Sequence, residues 1–173
     1  ARRSARRDQQ GDYVPFDQQD PAGWDQAMIA EAESILRRAG SLGVLGRYQL
    51  EAALQSAHVE RRRSGRANWQ AILQLYDLLA ALTGSPVVAL NRALALGELE
   101  GAAAALAALA GVPELPDYQP YWAARADLLA RTGADDEARL AYAVAMRLER
   151  DPAIRFFLER RLIRLSSPAA PPR

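Results

Sequence analysis

The one histidine of the sequence, His58, is the side chain best able to act as a general base or a metal ligand. A thiol dyad needs a cysteine beside the histidine, and the usual zinc sites need several histidine or cysteine ligands. The sequence contains no cysteine. We therefore expect His58 to be a satisfied helix residue rather than a ligand, and we keep it as a candidate for a partner-binding surface.

Three aspartates near the start of the sequence, Asp17, Asp20 and Asp25, carry the oxygen ligands that hard cations prefer. Their spacing is not that of a calcium-binding EF-hand loop. Asp20 also precedes Pro21, and an aspartate followed by a proline is typical of a helix start. We therefore predict no metal site and no cofactor, and we predict that the protein is not an enzyme.

The charges of the chain are nearly balanced, with 22 basic residues, all of them arginine, against 21 acidic ones and a net charge of +1. Such a chain has no overall electrostatic attraction to nucleic acid. The basic stretches at residues 1–7 and 60–66 are expected to be solvated helix ends; the alternative is contact with DNA or with an acidic polymerase surface. We predict no direct sequence-specific DNA binding by this chain.

Half of the 173 residues are hydrophobic, which is enough for a globular domain with its own core. No apolar run approaches the roughly 20 residues of a membrane span, and no signal peptide is visible. The absence of cysteine fits a reducing compartment. The sequence therefore predicts a cytoplasmic protein without a membrane partner.

Apolar residues recur with helical spacing along most of the chain, and no stretch alternates as a strand does. Asp20 and Pro21 are predicted to begin the first helix, Gly40 to end it, and Ser85 with Pro86 to begin a later one. The fold class is therefore all-α. The predicted helices cover residues 24–39, 47–63, 69–82, 86–99, 101–111, 121–131, 135–148 and 152–165.

The two ends of the sequence differ from this helical part. Residues 1–20 are predicted to be an arm, with a helical basic segment followed by an extended connector. Residues 21–165 form the helical domain, and residues 166–173 are predicted to be a disordered tail. The sequence begins without methionine, so we expect it to be part of a longer protein whose preceding helices are absent.

Residues 122–145 match the tetratricopeptide pattern at six positions. Helices at the start of each predicted hairpin begin near residues 47, 86 and 119, about 33–39 apart, close to the repeat length of ~34. We predict antiparallel hairpins stacked as a tetratricopeptide-like right-handed array, closed by a capping helix at 152–165 with one apolar stripe. Trp122 and Tyr142 should be largely buried. The six positions are Trp122, Ala126, Gly133, Ala138, Tyr142 and Ala145.

The concave groove of such an array is lined mainly by the first helix of each hairpin, which makes polar residues there candidates for partner binding. For Asn91 and Arg92 a purely structural, hydrogen-bonded role is the alternative, because burying them without partners is costly. The absence of lysine excludes the carboxylate clamp of chaperone-type repeats. The candidate groove residues are Tyr48, Gln49, His58, Asn91, Arg92, Tyr121 and Arg125.

The segments DQQDPAGWD, SPVVALNRALAL and ARADLLARTG follow one another along the chain in an order that resembles a known family. The sequence is similar, over residues 1–165, to the C-terminal extension of actinobacterial extracytoplasmic-function sigma factors. The usual family segment is DQDRSRWD; here the arginines are missing, while Asp17, Trp24 and Asp25 match. The resemblance adds Asp17 and Trp24 to the candidate interaction residues.

The resemblance implies a regulatory domain that modulates transcription initiation through protein–protein or intramolecular contacts. Its partners would be RNA polymerase and the sigma-factor domains of the full-length protein, or another regulatory protein. The alternatives are a stand-alone tetratricopeptide-like peptide-binding scaffold and a small-molecule-sensing helical domain. A homodimer formed through the N-terminal half, with the arm crossing to the partner, competes with a monomer whose arm folds back on its own helices.

Overall fold

The structure is a computed structural model that describes residues 1–113 and 115–166. Within these residues it contains eight α-helices, short 3-10 turns and no strand, which confirms the all-α prediction. The helices are α1 (Gln26–Gly40), α2 (Arg47–Ser64), α3 (Trp69–Thr83), α4 (Pro86–Glu100), α5 (Ala102–Ala110), α6 (Gln119–Arg131), α7 (Asp135–Leu148) and α8 (Pro152–Ser166).

The first helix was predicted to begin at Asp20 and Pro21, but α1 begins later, at Gln26. Asp20 does act as a cap, since its carboxylate accepts a hydrogen bond from the Ala22 amide, but it caps only a 3-10 turn at Pro21–Gly23. Trp24 is then extended, and α1 begins after a second cap, Asp25, which accepts from the Met28 amide at 2.9 Å. Asp20 and Asp25 each cap a turn of their own, and the extended Trp24 between them separates the two turns.

The helices pack mainly on their neighbours in chain order. The most extensive contact joins α6 and α7, followed by α4 with α5 and α3 with α4. Among the described residues, no helix is both long and apolar enough to cross a bilayer.

Small residues allow α4 and α5 to approach closely. Gly97 of α4 and Ala105 of α5 are both buried, and a Cβ atom placed on Gly97 would lie 2.7 Å from the Ala105 Cβ. The same cluster contains Leu90, Leu109 and Leu128, so α4, α5 and α6 share one core region. The alanine-rich sequence of α5 therefore permits close packing.

The hairpin of α6 and α7 buries most of the residues of the repeat pattern. Ala126, Ala138 and Ala145 are fully buried, and Tyr142 is 3% exposed. Trp122 is less completely buried and packs against the core clusters on both sides of α6. Its indole Nε1 donates to the Pro116 carbonyl at 3.0 Å, which holds one edge of the ring at the rim beside the preceding loop.

The last helix carries the predicted apolar stripe. Leu158 of this helix is buried against α7 and α6. Arg155, Glu159, Arg160 and Arg164 are exposed, and Arg161 is partly buried. The helix ends at Ser166, so the remainder of the predicted tail, residues 167–173, lies outside the described residues. The stripe residues packed around Leu158 are Ile154, Phe157, Leu162 and Leu165.

The arm, residues 1–20, packs on the same chain. Its basic segment forms only one 3-10 turn, Ser4–Arg6, so the prediction of a helix there was wrong. The chain instead reverses through Gly11, whose φ of +85° suits glycine, and Arg7 then pairs with Tyr13 in an isolated antiparallel bridge. The arm is thus a short looped segment that lies over the helices.

Candidate interaction groove

A cavity of about 440 Å³ lies between alternate helices, and we call it the central groove. Its walls come from α2, α4 and α6, with two side chains from α3 and two from the arm. The helices α2, α4 and α6 are the first helices of the predicted hairpins. The lining residues are Phe16, Asp17, His58, Arg61, Trp69, Tyr76, Asn91, Leu94, Ala95, Glu98, Ala124, Asp127, Leu128 and Arg131.

Charged side chains of both signs line one wall of the groove. Arg131 lies 3.5 Å from Glu98 and 4.0 Å from Asp127, and Asp127 also lies 3.4 Å from Arg161 of α8. All four side chains are partly exposed, so a partner can exchange these ion pairs for its own at little cost. This wall suits a polypeptide with mixed polar groups. No group of three or more metal-ligating side chains occurs in residues 1–113 and 115–166.

The opposite end of the groove is aromatic. The ring of Phe16 stacks on Trp24 at 5.8 Å between centroids and meets His58 edge-on at 6.1 Å. The guanidinium of Arg2 lies 4.4 Å from the Phe16 centroid, and that of Arg61 lies 5.7 Å from it. We call this set of four residues around Phe16, namely Arg2, Trp24, His58 and Arg61, the Phe16 socket.

His58 takes part in this socket as an aromatic ring rather than as a charge. Burial lowers the pKa of His58 below its ordinary value, and the nearby positive charges of Arg61 and Arg2 lower it further. The imidazole is therefore neutral at neutral pH. A neutral ring packs against Phe16 and Trp69 without the cost of burying a cation beside two arginines.

The structure brings four of the nine predicted interaction residues together. Asp17, His58 and Asn91 line the central groove, and Trp24 adjoins it through its stacking on Phe16. Asn91 is partly buried on α4, at the face that opens into the groove. The groove is thus lined mainly by the helices that were chosen as the first of each hairpin.

The other five predicted residues lie elsewhere. Tyr48 is 79% exposed at the start of α2, and the Gln49 side chain accepts from the Gly46 amide and caps that helix. Arg92 pairs with Asp77 of α3. Tyr121 is buried in the core, and Arg125 lies over the Trp122 ring.

Rotation about the helix axis explains these corrections, because adjacent helical residues point about 100° apart. Asn91 faces the groove, and its neighbour Arg92 therefore faces α3.

Several residues that line the groove were not among the predicted interaction residues. Starting from Asn91, helical spacing of three, four and seven residues leads to Leu94, Ala95 and Glu98, all of which line the groove. The same spacing leads from His58 to Arg61. This signal was present in the sequence, whereas the participation of Phe16 depends on where the arm docks.

Comparisons with known proteins place this geometry in a wider context. Residues 1–40 match a family of unknown function, DUF6596. An uncharacterized protein of Rhizobium meliloti (strain 1021) is 34% identical over 171 residues, which cover 98% of this chain and 40% of the relative. The chain therefore spans about 40% of the length of this curated relative. No solved structure matches the chain.

Proposed function

We propose that this chain is a protein-interaction domain that binds an extended polypeptide segment in the central groove. The observation that carries the proposal is the position of the arm: Phe16 and Asp17 line the groove, beside residues of α2, α4 and α6. An irregular segment of the chain's own sequence therefore shows how a polypeptide fits there. The mixed charges of Glu98, Asp127 and Arg131 provide polar contacts along the same path.

The proposal includes a tetratricopeptide-like architecture. We propose that α2 with α3, α4 with α5, and α6 with α7 are stacked antiparallel hairpins in a right-handed array, with α8 as the cap. The burial of the repeat-pattern alanines in α6 and α7 supports this, as does the contribution of alternate helices to one groove. The apolar stripe and exposed arginines of α8 fit a capping role.

The biological role that we propose is regulation of transcription initiation. The resemblance of residues 1–165 to the extension of extracytoplasmic-function sigma factors supports this role. In that setting, the groove binds a segment of the attached sigma-factor domains, of RNA polymerase or of a regulatory protein in the cytoplasm. The domain acts through binding and carries out no chemical reaction.

The gene and a binding measurement test this role. We expect the reading frame upstream of the Ala1 codon to encode sigma-70-type promoter-binding helices, and we expect this chain to bind them when the two parts are produced separately. Arg131→Ala, in the groove, should weaken the binding about tenfold, which corresponds to about 1.4 kcal/mol. Arg147→Ala is the matched control, because Arg147 is exposed on α7 outside the groove.

Two results would contradict the proposal at different levels. A reading frame without promoter-binding helices would refute the sigma-factor role and favour a stand-alone peptide-binding scaffold. Equal weakening by Arg131→Ala and Arg147→Ala would show that the partner binds outside the groove. Calorimetric titration of each variant with the separately produced promoter-binding part measures the weakening.

A further expectation concerns self-association. The connection between α1 and α2 exposes Leu42, Val44 and Leu45, with Val44 75% exposed, and Tyr48 is exposed at the start of α2. Beside it, α1 and α2 enclose an open recess of about 360 Å³ with largely apolar walls. Apolar surface of this kind is seldom left bare in solution. We expect a two-fold dimer through this surface, detectable by sedimentation equilibrium of the 18.9 kDa chain.

Charged substitutions distinguish this dimer from non-specific association through exposed apolar residues. Val44→Asp should shift the equilibrium to monomer, whereas Leu140→Asp should not, although Leu140 is 71% exposed on α7. The dimer should form without exchange of the arm, because the arm contacts its own helices. A monomer at every concentration would contradict the expectation.

A further inference from the structure

The arm connects the two ends of the helical array. Near its start, Arg7 pairs with Asp151 at the beginning of α8 at 2.7 Å, and Tyr13 meets Phe157 of α8 edge-on at 5.5 Å. Near its end, the Gln19 carbonyl accepts a hydrogen bond from Arg62 of α2 at 2.6 Å. Phe16, between these points, lines the central groove. The arm therefore forms part of the groove wall as a strap anchored at both ends.

The Phe16 socket recognises features common to all flat aromatic side chains. The cations of Arg2 and Arg61 attract the face of a ring, and Trp24 offers a stacking surface. His58 adds an edge-on contact. None of these contacts depends on the ring belonging to Phe16, so an aromatic residue from another chain fits the same geometry.

The polar groups at this contact are poorly satisfied. Five buried side-chain nitrogen or oxygen atoms in the described part of the chain have no hydrogen-bond partner, and all five lie where the arm and Trp24 meet α2. Buried polar groups are normally paired, since an unpaired one loses its hydration without compensation. The docked arm is therefore an imperfect occupant. The five atoms are Gln19 Oε1, Trp24 Nε1, His58 Nδ1, Arg61 Nε and Arg62 Nε.

The anchor on α8 is also weak. The ion pair of Arg7 with Asp151 is solvent-exposed, as is that of Asp12 with Arg160 at 3.7 Å. Exposed ion pairs contribute little to stability and are screened by salt. The arm is thus held by contacts that a competing segment can replace.

We propose that the Phe16 socket is the specificity site of the central groove: an extended partner segment inserts one aromatic side chain there and displaces Phe16 with the neighbouring arm residues 12–19, while Arg2 stays in place because the Asp25 amide holds the Ala1 carbonyl at 3.0 Å. The socket's arginines, with Arg62 beside them, favour acidic residues next to that aromatic side chain, as Asp17 follows Phe16 in the arm. This inference rests on the proposed binding of an extended segment in the groove. It names the partner's chemistry and makes the arm its intramolecular competitor.

A peptide that copies the arm tests the inference without any natural partner. The probe is fluorescein-labelled DYVPFDQQD, the sequence of residues 12–20, added to the full chain and followed by anisotropy. Phe16→Ala should bind it at least about tenfold more tightly than the unchanged protein, in which the tethered arm competes at an effective concentration of about millimolar. Tyr48→Ala, which removes an exposed aromatic ring outside the socket, should bind like the unchanged protein.

Further variants establish where the peptide binds. A peptide with alanine in place of its phenylalanine should not bind Phe16→Ala, and neither should the intact peptide bind the double variant Phe16→Ala with Arg61→Ala. Equal affinity for Phe16→Ala and the unchanged protein would overturn the inference, as would no binding at about 1 mM. Because sigma-factor domains are absent from this experiment, its failure leaves the proposed sigma-factor role standing, and a reading frame without promoter-binding helices leaves the inference standing.

Hydrogen exchange on the unchanged protein provides a second measurement that does not depend on folding of the variant. The Val14 amide donates to the Arg6 carbonyl at 2.9 Å, and the Gln19 amide donates to the Pro15 carbonyl at 3.1 Å. We expect these amides to exchange through local opening, at least about 100-fold faster than the amides of α3. Exchange of the arm only through global unfolding would overturn the inference.

Discussion

Tyr142→Ala is expected to lower the free energy of unfolding by about 3–5 kcal/mol, the range for removing a large buried aromatic side chain. The ring of Tyr142 is buried between α6, α7 and α8, where Ala126, Ala145 and Leu158 surround it. Alanine side chains are too short to move into the space that the ring leaves, so the cavity persists. Urea unfolding followed by circular dichroism at 222 nm measures the loss.

Tyr142→Phe is the matched control, because it keeps the ring and removes only the hydroxyl. Burial raises the pKa of the Tyr142 hydroxyl to about 12, and the charge of Asp127 also raises it while Arg161 lowers it. The stability gained from keeping this group protonated is complete below pH 10 and is lost as the pH rises from 10 towards 12. Tyr142→Phe should lack this alkaline loss and should remain close to the unchanged protein at pH 7.

Trp122→Ala should cost less than Tyr142→Ala, because Trp122 is only partly buried and donates to the Pro116 carbonyl at the rim. If Tyr142→Ala lost less than about 1 kcal/mol, the ring would be dispensable and the packing of α6 against α7 and α8 would differ from the structure.

The helix boundaries were the most predictable part of the fold. The predicted limits of α7, residues 135–148, are those observed, and α3 begins at the predicted Trp69. Local chemistry accounts for such agreement: Asn68 caps α3 through the Ala71 amide, and Gly84 ends it with a left-handed φ of +59°. These signals act within one helical turn and are therefore readable in a single sequence.

The side of each helix that faces the groove was less predictable. A shift of one residue turns a side chain about 100° around the helix. The same uncertainty placed Tyr121 on the groove, although it is buried with Leu109 and Val112 in the core. Apolar periodicity locates a buried face, but α6 packs against α5, α7 and α8 on different sides, so its polar face is narrow.

The position of the arm was not predictable from local pattern. The arm was expected either to cross to a partner or to fold back on its own helices. Nothing in residues 1–20 distinguishes the chain's own helices from those of a second copy. The structure shows Tyr13 on α8 and Phe16 against α2 of the same chain. Contacts between residues so distant in sequence depend on the assembled helices, which periodicity does not describe.

Gly97→Ala is expected to lower the free energy of unfolding by about 1–3 kcal/mol, the usual cost of an added methyl group in a packed core. The new Cβ atom would lie 2.7 Å from the Ala105 Cβ, a separation that real Cβ atoms essentially never show, and the Leu128 Cδ2 atom is 3.7 Å away. The contact with the Ala105 Cβ cannot be relieved by turning a flexible side chain, so α4 and α5 must move apart. Chemical denaturation gives the change.

A reciprocal exchange of the two residues tests the contact itself. Ala105→Gly alone should cost roughly 0.5–1 kcal/mol, because it places glycine within a helix. In the double variant, Gly97→Ala with Ala105→Gly, the methyl group moves from one helix to the other and the contact reopens. The double variant should therefore be more stable than the sum of the single changes predicts, by about 0.5–3 kcal/mol. Gly40→Ala is the control for helix propensity, since a Cβ atom there meets nothing within 4 Å. Strict additivity of the two changes would mean that α4 and α5 do not meet at this pair.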